Sequence, residues 1–528
     1  MNRLSELERD ARLGRLDRRS FLKAASAIGI GSALSLSSAG RLFAQAPKKG
    51  GHFRVGSSNG ATTDSFDPAT YNNGFMRMTA SSVCNYLMEI NDRGEAVPEL
   101  AESVEATDGG TRFVIKLRKG VEFHNGKSFG PDDVIASYNH HRGEASTSAV
   151  KSILAQVTDI AADGPDTVIF TLEAPNADFP SMMTDYHLPI FAADGDKIDV
   201  QQMVGTGGYT IQAWDPGVRA RFERNPNYWR SDRGNFDSAE ILFVADAVAR
   251  TNALTTGEVD AIDRCDMSTI HLLARRPGIK ILEVTGTQYY SMLMFTDVAP
   301  FTDNNVRLAL KYAIDREAIV KSVLRGYGKV GNDSPITPSY RYYNDQMEQR
   351  VYDPEKAKFH LKQAGHDSID VELSVADAAF VGAVDAAVLF KEHAAAAGIN
   401  VNVRREPDDG YWVNVWRKKP FSMGYMGGRA TADWMFSTSF DSASAWNDTH
   451  WKNERFDQLL REARAELDET KRKEMYFEMQ QLVRDEGGTI VHSFPSIVDA
   501  ASDKVQHAPL AGNWPLDGHR CIDRWWFA

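Results

Sequence analysis

Strand-like and helix-like periodicities alternate along nearly the whole of this chain, and that alternation restricts its fold more than any other feature of the sequence. Phe113, Ile115 and Leu117 alternate with polar residues, as a half-buried strand requires, and Val168, Phe170 and Leu172 repeat the pattern. Ala239 to Val244 reads as a further strand. A helix from Ala247 to Thr256 follows it and is closed by Gly257. Asp303 is placed to cap a helix whose Val306, Ala309, Leu310, Ala313 and Ile314 share one face. Another helix runs through Ile319 and Leu324 to Gly326. Asp353-Pro354 opens the next, which Gly365 closes. An Ala-rich helix is predicted from about Ala379 to Ala397, then a strand from Asn400 to Arg404. Two charged helices, about Asn453 to Leu467 and Thr470 to Arg484, are predicted to form a surface hairpin. The pattern is α/β, and 528 residues exceed what one core needs, so two or three lobes are expected.

The first 46 residues differ from the rest. They hold eight Lys or Arg against four acids, so the remainder is more acidic than the formal net charge of −12. Such a chain is repelled by nucleic acid and by anionic lipid, and no nucleic-acid partner is expected. Asp17-Arg18-Arg19-Ser20-Phe21-Leu22-Lys23 reads as a twin-arginine export signal. A weakly apolar stretch from Ala24 to Leu36 follows, then the cleavage signature Ala44-Gln45-Ala46. The apolar stretch is too short to span a bilayer permanently. No cysteine follows it, so no lipid anchor is expected.

Signals for catalysis and metal binding are weak. Gly120, Gly126, Lys127 and Ser128 imitate a phosphate-binding loop, but five residues separate the glycines where the pattern needs four. His140 and His141 are adjacent, so on a helix they diverge by about 100° and cannot readily share a metal. No nucleophile elbow is present. Asp132-Asp133 reads as a helix start and Asp408-Asp409 as a loop. Cys84, Cys265 and Cys521 are widely spaced. They read as three small buried hydrophobes, although an oxidising compartment would allow one disulfide.

Nine ordered motifs point further. They include Ser65-Phe66-Asp67-Pro68, Val97-Pro98-Glu99-Leu100-Ala101-Glu102-Ser103, and Leu117-Arg118-Lys119-Gly120-Val121-Glu122-Phe123-His124-Asn125-Gly126. Gly205-Thr206-Gly207-Gly208-Tyr209, Glu223-Arg224-Asn225-Pro226-Asn227-Tyr228-Trp229 and Arg307 to Arg316 follow in order. Through these the chain resembles the family 5 extracellular solute-binding proteins of ABC importers, the dipeptide, oligopeptide and nickel type. The resemblance implies a two-lobed periplasmic binding protein of type II, cluster C-like, with an extra subdomain inserted in the first lobe. On that pattern residues 1–46 are the signal peptide. Residues 47–84, 206–288 and 497–528 form lobe I, 85–205 the inserted subdomain and 289–496 lobe II. Hinges are expected near Tyr289-Tyr290 and His492 to Ser496.

The resemblance also implies a site. Peptide-binding members place an aspartate against the ligand's amino group, and Ala432-Asp433-Trp434 stands at that place here, so Asp433 is the expected ammonium partner. Its alternative reading is a helix N-cap. The family pattern has an arginine six residues earlier, where this chain has Gly427. Arg429 stands nearer and is expected either to clamp a carboxylate with its planar fork or to lie at the surface. Trp434 is expected to stack on the ligand and Tyr71 to wall the first lobe, whereas Trp412 and Trp416 are expected in a core. The implied protein is a monomer without catalytic residues, metal or cofactor. Its partners are a small peptide-like ligand, opine-type compounds included, and an inner-membrane permease with its ATPase subunits. The alternatives are an oligosaccharide or metal-chelate receptor and, from another class, an exported hydrolase.

Overall fold

The strand Thr489–Ser502 belongs to both halves of the molecule. Its first part, Thr489 to Ser493, lies antiparallel to Tyr289–Met294, and its last part, Ser496 to Ser502, lies antiparallel to Ile279–Thr285. The chain therefore passes between the halves at two adjacent places: residues 286–288, and the middle of this shared strand. The computed structural model describes residues 47–144 and 146–528. The predicted export signal lies outside the described residues. No helix among the described residues is long and apolar enough to cross a membrane.

On one side of the shared strand the sheet continues through Ala261–Ile262, His52–Ser57, Ser238–Phe243, Arg219–Arg224 and Tyr209–Asp215. On the other it continues through Tyr289–Met294, Phe421–Met426, Ile369–Val375 and Ile399–Arg405. Parallel pairing occurs in both halves, as in His52–Ser57 with Ser238–Phe243 and in Ile369–Val375 with Ile399–Arg405. Helices cover the faces, as parallel strands require. Each half has its own core. In the first, Phe53 stacks on Phe236 at 4.5 Å, and Trp525 and Phe75 close the cluster. In the second, the helices Asn304–Tyr312 and Ala383–Ala395 bury Val306, Leu310, Ala387 and Phe390 against the sheet.

A separate antiparallel sheet, in the order Ala101–Thr107, Arg112–Leu117, Thr167–Leu172, Val157–Ala162, forms the inserted subdomain. Phe113, Ile115, Val168 and Phe170 face inward, and Tyr138 of the helix Pro131–Asn139 packs on Phe170. Lys127, in the loop that imitates a phosphate site, is held by Asp133 at 2.5 Å and by the Ala193 carbonyl at 2.8 Å. Two buried acids tie the subdomain to the first lobe. Glu99 accepts two hydrogen bonds from Arg520, at 2.7 and 3.0 Å, one from Asn85 and one from the Tyr86 N–H. Glu89 pairs with Arg233, Arg524, Arg230 and Arg520. Burial alone would raise the Glu89 carboxyl, but these four guanidinium groups outweigh it and hold it well below the usual carboxylate range.

The subdomain also touches the second lobe. Asp178 pairs with Arg472 at 2.7 Å, with both side chains nearly buried, and the Ala177 N–H donates to the Arg464 carbonyl. The predicted surface hairpin is thus only half a surface. Its helices Glu454–Ala465 and Glu469–Glu486 bury Phe456, Leu460, Tyr476 and Val483, and their junction docks on the subdomain.

Two further expectations are corrected. The Ala-rich helix begins at Ala383 instead of near Ala379, because Gly382 takes a left-handed conformation (φ 87°) just before it. Trp412 and Trp416 lie in no core. The helix there is a single turn, Tyr411–Asn414, and the two rings pack on each other at 5.9 Å at the protein surface. The three cysteines are buried and unpaired.

Candidate ligand-binding cleft

Between the two halves lies a cavity of about 890 Å³, floored by both crossings of the chain. Gly286, Thr287 and Gln288 come from one crossing, and Pro495 to Val498 from the other. The first-lobe wall carries Arg264, Met267, Asn513 and Trp514, and the subdomain adds Asp185, Tyr186 and His187. The opposite wall carries Tyr290, Tyr340, Arg429, Trp434 and Trp446. Aromatic side chains on both walls, interspersed with polar ones such as Asp185, His187, Gln288 and Asn513, suit a site that holds a small polar molecule.

The first-lobe wall is built from strained backbone. Leu516, Asp517, Gly518 and His519 are four successive left-handed residues, with φ of 51°, 62°, 71° and 60°. Each non-glycine position of this kind costs about 1–2 kcal/mol, so the turn exists only because other contacts hold it. Asp517 accepts from the Ala511 N–H at 2.8 Å, from Arg524 at 3.0 Å and from the Trp525 indole at 3.3 Å. Asp499, on the shared strand, accepts from the Leu516 N–H at 2.6 Å through one oxygen. Through the other it accepts from the Arg264 N–H at 3.0 Å. Arg264 is itself left-handed, with φ 47°. One buried carboxylate thus fixes both strained segments. Burial and the nearby Asp263 push Asp499 up to about 7.

Trp514 precedes this turn and meets Tyr186 edge-to-face, with ring centres 5.9 Å apart, and the Arg77 guanidinium lies 4.0 Å from the centre of each ring. This three-way contact fixes both aromatics at the cleft edge. On the other side, Thr431 caps the helix Ala432–Ser439 through the Trp434 N–H at 3.1 Å. Arg429 lies in the loop before it. Its backbone N–H donates to the Tyr340 hydroxyl at 3.1 Å, and its guanidinium folds onto the carbonyls of Gly427 and Gly428. No carboxylate pairs with it among the described residues.

Of the four residues expected from the sequence, the structure brings Trp434 and Arg429 together in the cleft and leaves two outside it. Asp433 is not among the lining residues. It points away, nearly buried, and Arg464 donates to its two oxygens at 3.0 and 3.1 Å. Burial raises its carboxyl to about 6 despite Arg464. It is not the N-cap either, because Thr431 takes that place. Tyr71 is fully buried in the first-lobe core, and its hydroxyl donates to the Phe66 carbonyl at 3.0 Å. The turn after Pro68 directs the ring inward, so it cannot wall the cleft. Sequence reasoning missed Arg264, Tyr186, Tyr340 and Trp514. Only Trp514, an aromatic residue before a proline near the chain's end, carried a local signal, and it pointed to a turn.

Two lobes joined by paired crossings, with a partly open cleft between them, define a receptor that grips a solute between its halves. The chain belongs to the bacterial extracellular solute-binding proteins, family 5, whose middle region matches residues 95–469. It is 26% identical over 488 residues to the dipeptide-binding protein of Escherichia coli (strain K12), covering 84% of this chain and 89% of that one. Among solved structures, HbpA2 from Haemophilus parasuis superposes with a TM-score of 0.78 at 23% identity, covering 89% of this chain and 99% of that chain. The PBP AgaA from A.tumefacien R10, in complex with agropinic acid, gives a TM-score of 0.66 at 22% identity, with 90% and 99% covered. Membership makes this chain a solute-binding component of an ABC importer.

Proposed function

We propose that this protein captures a peptide or peptide-like amino compound in the periplasm by closing its lobes, and delivers it unchanged to an inner-membrane permease with its ATPase subunits. The cleft carries this reading: a cavity of about 890 Å³, aromatic on both walls, sits over the only two crossings among the described residues. Closure about those crossings would bring Trp434 and Arg429 onto a ligand resting against Trp514. The domain division expected from the sequence belongs to the same reading, with hinges near Tyr289-Tyr290 and His492 to Ser496. The dipeptide receptor among its relatives, and the agropinic acid bound by a structural neighbour, support the ligand class. Twin arginines ahead of Ala44-Gln45-Ala46 support export as a folded protein, acting as a monomer without cofactor or metal.

The test is ligand-induced stabilisation with product analysis. A receptor gains about 2.7 kcal/mol at a hundred times its dissociation constant, with no conversion of the ligand. Trp434→Ala is expected to lower affinity at least about tenfold, or about 1.4 kcal/mol. Turnover of the stabilising compound, or unchanged binding by Trp434→Ala, would overturn the assignment.

A further inference from the structure

We infer that the ligand carries at least two anionic groups, one met by Arg264 of the first lobe and one by Arg429 of the second. This deepens the peptide-like reading and rests on it. Arg264 lines the cleft with an exposed guanidinium that makes no hydrogen bond or ion pair among the described residues. Its presentation is built. A bulky residue is held left-handed by its N–H on Asp499, while its carbonyl accepts from Arg250 at 3.0 Å. An arginine needed only for solubility would not require that backbone.

Across the cleft, Arg429 has carbonyl partners but no acid. The cleft's own carboxylates do not offset these charges freely. Asp185 is engaged by His187 at 2.7 Å, and Asp92 has a partner of its own. Arg77 adds a third guanidinium behind the first-lobe wall. Asp433, the acid that would greet an ammonium, is consumed by Arg464. A cleft that encloses its guest leaves each uncompensated guanidinium to be paired by that guest, since desolvating it alone is costly. An arginine from each lobe also couples neutralisation to closure: an anion at one lobe draws in the cation of the other.

The experiment titrates the mature protein with Glu-Glu, Ala-Ala and Lys-Lys dipeptides, using calorimetry. In parallel, native mass spectrometry identifies any compound that copurifies from the native host. Glu-Glu is expected to bind at least about tenfold tighter than the other two, and Arg264→Gln is expected to remove that advantage. Arg264 is exposed, so the variant should fold, and an unchanged melting temperature checks this. Preference for Lys-Lys, or Glu-Glu affinity unaffected by Arg264→Gln, overturns the inference while leaving the peptide receptor intact. If no dipeptide binds, the peptide reading falls. A copurifying polyanion that Arg264→Gln loses would then still uphold the anion sites, whereas a neutral or cationic guest would overturn them. Absence of binding in both arms overturns both.

Discussion

Asp448 gives a sharp test of how burial acts in this protein. Its carboxylate is 3% exposed, accepts only from the Trp416 indole at 3.5 Å among side chains, and leaves Oδ1 without a partner. No cation pairs with it among the described residues, and burial pushes it from an ordinary 3.8 up to about 7. Between those values the folded protein holds a proton that the unfolded chain has released. Stability therefore falls as pH rises through the window, by about 1.36 kcal/mol per pH unit, for a total of about 4 kcal/mol. The stabilising protonation is complete below the unfolded value and lost once pH passes the folded one. Asp448→Asn replaces the acid with a neutral group of the same shape that still accepts from Trp416. The variant should match the wild type near pH 4 and exceed it by up to about 4 kcal/mol near pH 8. Denaturant unfolding followed by tryptophan fluorescence, repeated across that range, measures the difference directly. Other acids titrate in both proteins and cancel in the subtraction. Two curves that stay parallel from about pH 5 to about pH 8 would show that the site is solvated or paired, and the reasoning would fail.

Arg472→Met should cost about 3–5 kcal/mol in denaturant unfolding, because it strands the buried Asp178 carboxylate between subdomain and second lobe. Adding Asp178→Asn should recover much of that loss, and a cost below about 1 kcal/mol would refute a buried pair. Gly428→Ala places a methyl group 1.8 Å from the Thr287 hydroxyl at the floor of the cleft. It should weaken ligand binding at least about tenfold by calorimetry, with the melting temperature little changed.

The parts of this fold that read easily from sequence are those whose causes are local. The helix starting at Ala247 matches its expected bounds because Asp246 caps it and Gly257, at φ 77°, ends it. The same holds at Asp303 and Asp353, whose side chains accept from the backbone N–H groups of Asn305 and Lys356 in the first turn. The site read less well because its causes lie far apart in the chain. Nothing near Asp433 announces Arg464, thirty-one positions on, so the residue looked available when its charge was already matched. Arg264 carries no local signal at all. Its exposure to the cleft comes from Asp499, on a strand 235 positions away. Tyr71 failed for a simpler reason: a turn can be recognised from Asp67-Pro68 without revealing which way the next ring points.

The strand common to both halves has a mechanical consequence. Because one unbroken length of backbone is paired with strands of both halves, the halves cannot slide or detach. In the proposed closure, their movement is a twist over the few peptide units near Phe494, with residues 286–288 beside it as a second pin. The pivot is therefore covalent. Substitutions inside either core alter how firmly that half holds its shape, but the axis about which it swings stays where the main chain put it.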